Sequence, residues 1–79
     1  MLESAVEHLV RGIVDNPDDV TVDMVTGRRG RTLEVRVNPD DLGKVIGRRG
    51  RTAKALRTVT TALGGRGVRV DVVDTDEVR

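Results

Sequence analysis

Two glycines three residues apart, with arginines between them, make Gly47-Arg48-Arg49-Gly50 the stretch best suited to chemistry. Glycine has no Cβ, so a phosphate backbone can approach the main chain closely. The N–H groups that open a following helix point toward an anion. Arg48, Arg49 and Arg51 add positive charge at the same place, and guanidinium groups suit planar, bidentate phosphate contact. A plain helix–helix turn with solvated arginines has the same spacing, and spacing alone leaves the two readings level. Gly-Arg-Arg-Gly-Arg-Thr also occurs earlier, at 27–32 as well as 47–52. Alternating hydrophobicity flanks that first copy, so it reads foremost as a hairpin turn. The minority reading makes Arg28, Arg29 and Arg31 an auxiliary basic contact.

Catalytic chemistry finds little to work with. The chain has no Cys and one His, which excludes disulfides, thiolate nucleophiles, Fe–S clusters and cysteine zinc sites. His8 lies off the apolar stripe beside Glu7 and reads as a surface residue. Asp15, Asp18 and Asp19 lack calcium-loop spacing, and Lys44 and Lys54 are misplaced for a P-loop around Gly47. Gly64-Gly65-Arg66-Gly67 precedes a strand, the reverse of a dinucleotide-binding context. No nucleophile, base and orienting group can be assembled. A binding protein is expected, not an enzyme, with no cofactor and no metal.

Charge supports binding to a polyanion. The formal net charge of +1 conceals a balance of −5 over residues 1–26, +7 over 27–57 and −1 over 58–79. Twelve of the 14 basic residues are Arg, a bias that a GC-rich genome also produces. No apolar run exceeds two residues, so no membrane insertion is expected and a cytoplasmic location is.

The elements around the loop follow from periodicity. Leu2, Ala5, Val6, Leu9, Val10 and Ile13 form a helical stripe over 1–14, stopped by Asp15-Asn16-Pro17-Asp18. Alternation over Val20–Val25 and Leu33–Val37 gives a β-hairpin over 20–37. Asn38 caps a helix with Pro39 at its first position and Asp40 and Asp41 at its positive end. Leu42, Val45 and Ile46 form its apolar face. After the glycine loop, a longer helix turns Ala55, Leu56, Val59, Ala62 and Leu63 inward and Arg51, Lys54 and Arg57 outward, so helix–GxxG–helix fills 39–63. A last strand over 67–73 alternates Val68, Val70 and Val72 with polar residues, and 74–79 is expected to fray. Seventy-nine residues without Phe, Tyr or Trp make one small α+β domain over 1–79 with a minimal aliphatic core.

The order α-β-β-α-α-β, with GxxG between the last two helices, resembles the KH domain in its bacterial type II arrangement. The resemblance spans almost the whole chain and implies a three-stranded mixed sheet with three helices on one face. Within that superfamily, the 20-residue run Asn38–Arg57 is similar to the small stand-alone KH proteins of the KhpA family. What the resemblance implies is single-stranded RNA binding, an RNA-chaperone role and partnership with a larger KH-containing protein of the KhpB (Jag) type. A link to cell-envelope synthesis, cell-wall biogenesis and cell shape is implied with it, whereas a homodimer is made attractive by the marginal core.

Carried over by position, Gly47, Arg48, Arg49 and Gly50 fill the GxxG loop, and Ile46 is the apolar residue before it. Arg51, Lys54 and Arg57 extend the positive wall. Gly64–Gly67 takes the place of the variable loop, which adds Arg66 as an auxiliary contact beside Arg28, Arg29 and Arg31. A glycine often sits inside the family's loop; here both variable positions are Arg. The absence of aromatics agrees with a KH groove that clamps about four nucleotides, whereas other RNA-binding sheets need stacking rings. The competing expectation is a protein-interaction or dimerisation module with little RNA affinity of its own.

Overall fold

Valine alternating with polar residues builds the sheet. In the computed structural model, which describes residues 2–28 and 30–76, strands β1 (Thr21–Gly27) and β2 (Gly30–Val37) form an antiparallel hairpin. Strand β3 (Arg69–Asp74) pairs with β2 in parallel, giving the order β1-β2-β3. Val22, Val35 and Val72 share one row of the sheet, and Met24, Leu33 and Val70 the next. A parallel neighbour needs a crossover. Helices α2 (Leu42–Ile46) and α3 (Arg51–Ala62) supply it, and α1 (Leu2–Arg11) packs beside them. The core is wholly aliphatic: Val6 and Val10 of α1, Val45 of α2 and Leu56 of α3 meet Val22, Leu33, Val35 and Val37 of the sheet. This is the α+β fold with a three-stranded mixed sheet and three helices that the sequence suggests.

Several boundaries differ from expectation. Helix α1 ends at Arg11, not 14, because Gly12 is a poor helix former; the N–H groups of Ile13 and Val14 both turn back to the Val10 carbonyl. The hairpin begins at Thr21, since Val20 closes a 3-10 turn over Pro17–Asp19. Segment 39–63 is divided more finely: 3-10 turns at Pro39–Asp41 and Arg48–Gly50 precede α2 and α3, and Leu63 lies past the end of α3. Strand β3 starts two residues late because Gly67, with φ +77°, still belongs to the turn. Asp74 completes that strand, and the Thr75 N–H donates to the Val37 carbonyl at 2.9 Å. The last part of the expected frayed tail, 77–79, lies outside the described residues.

Burial corrects the helical stripes. Leu9, Ile13, Ala55, Ala62 and Leu63 were expected inward and are exposed, Leu63 to 50%. Helices α1 and α3 lie side by side, and between them Leu9, Ile13, Ala55 and Val59 line an apolar hollow of 330 Å³ instead of facing the sheet. In their place α3 buries Thr60 completely. Its hydroxyl donates to the Leu56 carbonyl at 2.7 Å, which removes the penalty of burying a polar group. Gly65 fits against it so closely that a Cβ there would meet Thr60 Cγ2 at 2.7 Å. Among the described residues no helix is long and apolar enough to cross a membrane.

Candidate nucleic-acid interface

Helix α2 stops where Gly47 adopts φ +78°, with its N–H donating to the Gly43 carbonyl at 2.8 Å. A Cβ at Gly47 would stand 2.4 Å from Thr52 Oγ1 and 2.8 Å from the Thr52 nitrogen, so glycine is demanded by space as well as by conformation. The Gly50 N–H closes a turn onto the Gly47 carbonyl at 3.1 Å, with Arg48 and Arg49 at its tip. Gly50 is left-handed (φ +73°) with open space where a side chain would begin. Arg49 is left-handed too (φ 57°, ψ 26°), the one non-glycine residue with positive φ among those described. That conformation costs a side-chain-bearing residue about 1–2 kcal/mol. Strain of this kind, held in an exposed loop, clusters at ligand sites.

Arg48, Arg49, Arg51, Lys54 and Arg57 are all exposed, and none pairs with a described carboxylate. Among the described residues, ion pairs join Arg11 to Glu7, Arg36 to Glu34 and Lys44 to Asp15. Ile46, 38% exposed at the end of α2, puts an apolar side chain beside the arginines.

Arg57 takes part in a second feature. Strand β3 lies at one side of the sheet and, among the described residues, its strand partner is β2. Two hollows of 560 and 550 Å³ run along β3 and share Asp71. Thr32, Arg57 and Arg69 line the first; Leu42 of α2, Asp74 and Asp76 line the second. The trough is basic at one end and acidic at the other. In the sequence Arg69 reads only as the polar partner in an alternating strand. The parallel register that sets it opposite Thr32 is what brings it to Arg57.

Of the auxiliary residues, Arg66 is exposed in the 64–67 turn, and Arg28 and Arg31 are exposed at the hairpin end. Arg29 lies outside the described residues. No hydrogen bond or ion pair links Arg28 or Arg31 to loop 47–50 among the described residues. Nor does any group of three His, Cys, Asp or Glu side chains among them come together as a metal site.

Behind the loop, α2 is moored by a carboxylate. Asp41, 1% exposed, accepts the Asp15 N–H at 3.2 Å, the Asn16 N–H at 3.0 Å and Asn16 Nδ2 at 3.1 Å. Burial pushes its pKa up, but the Asn16 amide, the two backbone donors and the nearby Lys44 charge outweigh burial and hold it below 3.8. The sequence suggested only a helix-dipole acid at this position.

A glycine–arginine loop between two helices, packed on one face of a three-stranded mixed sheet in the order α-β-β-α-α-β, defines a KH domain of type II topology. A family model described as "KhpA/KhpB, KH domain" matches residues 3–74, and the chain belongs to that family. The protein called RNA-binding protein KhpA in Streptomyces coelicolor is 76% identical over 79 residues, covering 100% of both chains. Its namesake in Mycobacterium tuberculosis H37Rv is 78% identical over 73 residues, 92% of this chain and 91% of the relative. The protein of that name in Halalkalibacterium halodurans is 46% identical over 76 residues, 92% of this chain and all of the relative. No solved structure matches the chain significantly.

Proposed function

We propose that this protein binds single-stranded RNA without catalysing a reaction on it. The phosphate backbone lies against Gly47–Gly50, held by Arg48 and Arg49, with Arg51, Lys54 and Arg57 continuing the positive wall. Bases turn toward Ile46 and the outer side of β3, along which the two hollows lie. The observation that carries this reading is the exposed arginine pair held at the tip of a strained, glycine-bracketed turn. The names of the relatives agree with it. The acidic end of the trough, at Asp74 and Asp76, favours amino-bearing bases over phosphates there.

A groove of this size holds about four nucleotides, too few for high specificity by itself. The protein therefore acts as a cytoplasmic RNA chaperone together with a second KH protein of the KhpB (Jag) type, in the control of envelope synthesis and cell shape. Surface from the partner raises affinity by avidity. A second reading, in which the fold serves chiefly for pairing with such a partner or with a second copy, is favoured by one observation. The hollow between α1 and α3 exposes Leu9 and Ile13 beside Ala55 and Val59. Filter binding of a short single-stranded RNA across a salt series separates the two. Salt-sensitive binding abolished by Arg48→Asp with Arg49→Asp supports the first reading, and absent binding with retained self-association supports the second.

A further inference from the structure

Helix α2 is five residues long, below the length at which a helix holds itself together in water. Something else must fix its position, and with it the loop at its C-terminal end. On the core side a single residue, Val45, is fully buried; Leu42 is half-buried and Ile46 exposed. At the N-terminal end the fixing is polar and long-range. An acid at this position ordinarily caps its own helix, but the Asp41 side chain makes no such bond. Both of its oxygens are turned to Asp15 and Asn16, 26 and 25 residues earlier. Lys44 pairs with Asp15, and Asn38 Nδ2 donates to Asp19 Oδ2 at 2.9 Å. Segment 15–19 and segment 38–44 are thereby stitched at five polar contacts.

We propose that Asp41 is a positioning residue for RNA binding, setting the place of the Gly47–Gly50 loop through α2 without touching the RNA. The path is short: Asp41 immediately precedes α2 and Gly47 immediately follows it, with only the five residues of that helix between them. A helix of one and a half turns has no internal hinge, so a shift at Asp41 reaches Gly47, where the Thr52 contact ties it to the loop. Charge-assisted contacts to phosphate tolerate little displacement, because they depend on separations of about 3 Å. Segment 15–19, far from the loop in sequence, thus becomes part of the RNA-binding machinery.

The inference rests on the proposed RNA-binding loop, and the test separates the two. Asp41→Asn keeps the shape but offers one carbonyl oxygen to two backbone donors, leaving one N–H facing an NH₂ group. Asn16→Ala is milder, removing only the Nδ2 contact. Each is compared with the wild type, with Arg48→Asp/Arg49→Asp, and with Val22→Ala, a core change on β1 that lowers stability away from the loop. Single-stranded RNA affinity and its salt slope are measured at a temperature where circular dichroism shows every variant folded. Asp41→Asn is expected to lose one phosphate contact: the slope shrinks by about 0.7 and affinity falls about fivefold at 0.1 M salt. Asn16→Ala is expected to fall less in the same direction, and Val22→Ala to bind as the wild type does. Wild-type affinity and slope in folded Asp41→Asn overturn the proposal, as does an equal loss in Val22→Ala. If Asp41→Asn does not fold, Asn16→Ala decides alone, and its binding like the wild type overturns the proposal. Should Arg48→Asp/Arg49→Asp bind as the wild type, the RNA-binding loop itself is wrong, a different failure.

Discussion

Gly47 and Thr52 approach so closely that a β-carbon on the glycine would lie 2.4 Å from the threonine hydroxyl oxygen. The two glycines of the loop therefore serve different ends. Gly47 is required by the protein itself, while Gly50 has open space beside it. Gly47→Ala is expected to cost at least about 2 kcal/mol, through left-handed strain plus the collision with Thr52. Gly50→Ala should cost about 1 kcal/mol and weaken RNA binding more than stability. Urea unfolding and RNA titration of both variants check this contrast. Equal stability losses would show that the collision at Gly47 is absorbed by a small shift.

Arg49 presents a trade between stability and binding. Glycine relieves its left-handed strain of about 1–2 kcal/mol, offset in part by the greater freedom of the unfolded chain. Arg49→Gly is expected to leave stability unchanged or raise it by up to about 1 kcal/mol, while RNA affinity falls with the lost charge. A melting curve and a binding isotherm on the same sample measure both effects.

Acid should loosen the α2 mooring. The folded pKa of Asp41 lies below its ordinary 3.8, so its contribution to stability is present above that value and is lost as pH falls through the folded pKa. Lys44 has the opposite sign. The hydrogen bond to Asp15 raises its pKa above 10.5 and outweighs burial, so its share is present below 10.5 and is lost as pH rises through the folded value. Unfolding midpoints between pH 2 and pH 6 should show a steeper fall for the wild type than for Asp41→Asn. Parallel curves would mean that other carboxylates carry the acid sensitivity.

The apolar hollow between α1 and α3 gives a separate expectation. Leu9→Ser with Ile13→Ser changes two exposed positions that line it, where substitutions usually stay within about 0.5 kcal/mol each. RNA affinity per chain should persist, while any self-association seen by analytical ultracentrifugation should weaken. Unchanged association would place the contact surface elsewhere on the molecule.

The sheet and the glycine–arginine loop were legible in the sequence because both depend on local pattern. Val22, Leu33 and Val35 alternate as half-buried strands do, and Gly47 and Gly50 bracket the arginines visibly. What escaped was set by partners distant along the chain. Leu9 and Ile13 fit an inward stripe, but Gly12 ends the helix and α3 lies alongside instead of above it. Thr60 looks polar and is buried, because Gly65 leaves room and the Leu56 carbonyl takes its hydroxyl. Asp41 reads as a helix-dipole acid until the fold brings Asp15 and Asn16 to it. Arg69 joins Arg57 only through the parallel register of β2 and β3.

The most direct test of the central claim is the salt dependence of single-stranded RNA binding, measured on the wild type and on Arg48→Asp/Arg49→Asp. Three to four phosphate contacts predict a slope of log affinity against log salt of about −2 to −3 for the wild type. The double variant should melt as the wild type does and retain no measurable RNA, because two attractive charges at the phosphate position become repulsive. A flat salt response, or unchanged RNA retention in a folded double variant, would contradict the assignment of the Gly47–Gly50 loop as the RNA clamp.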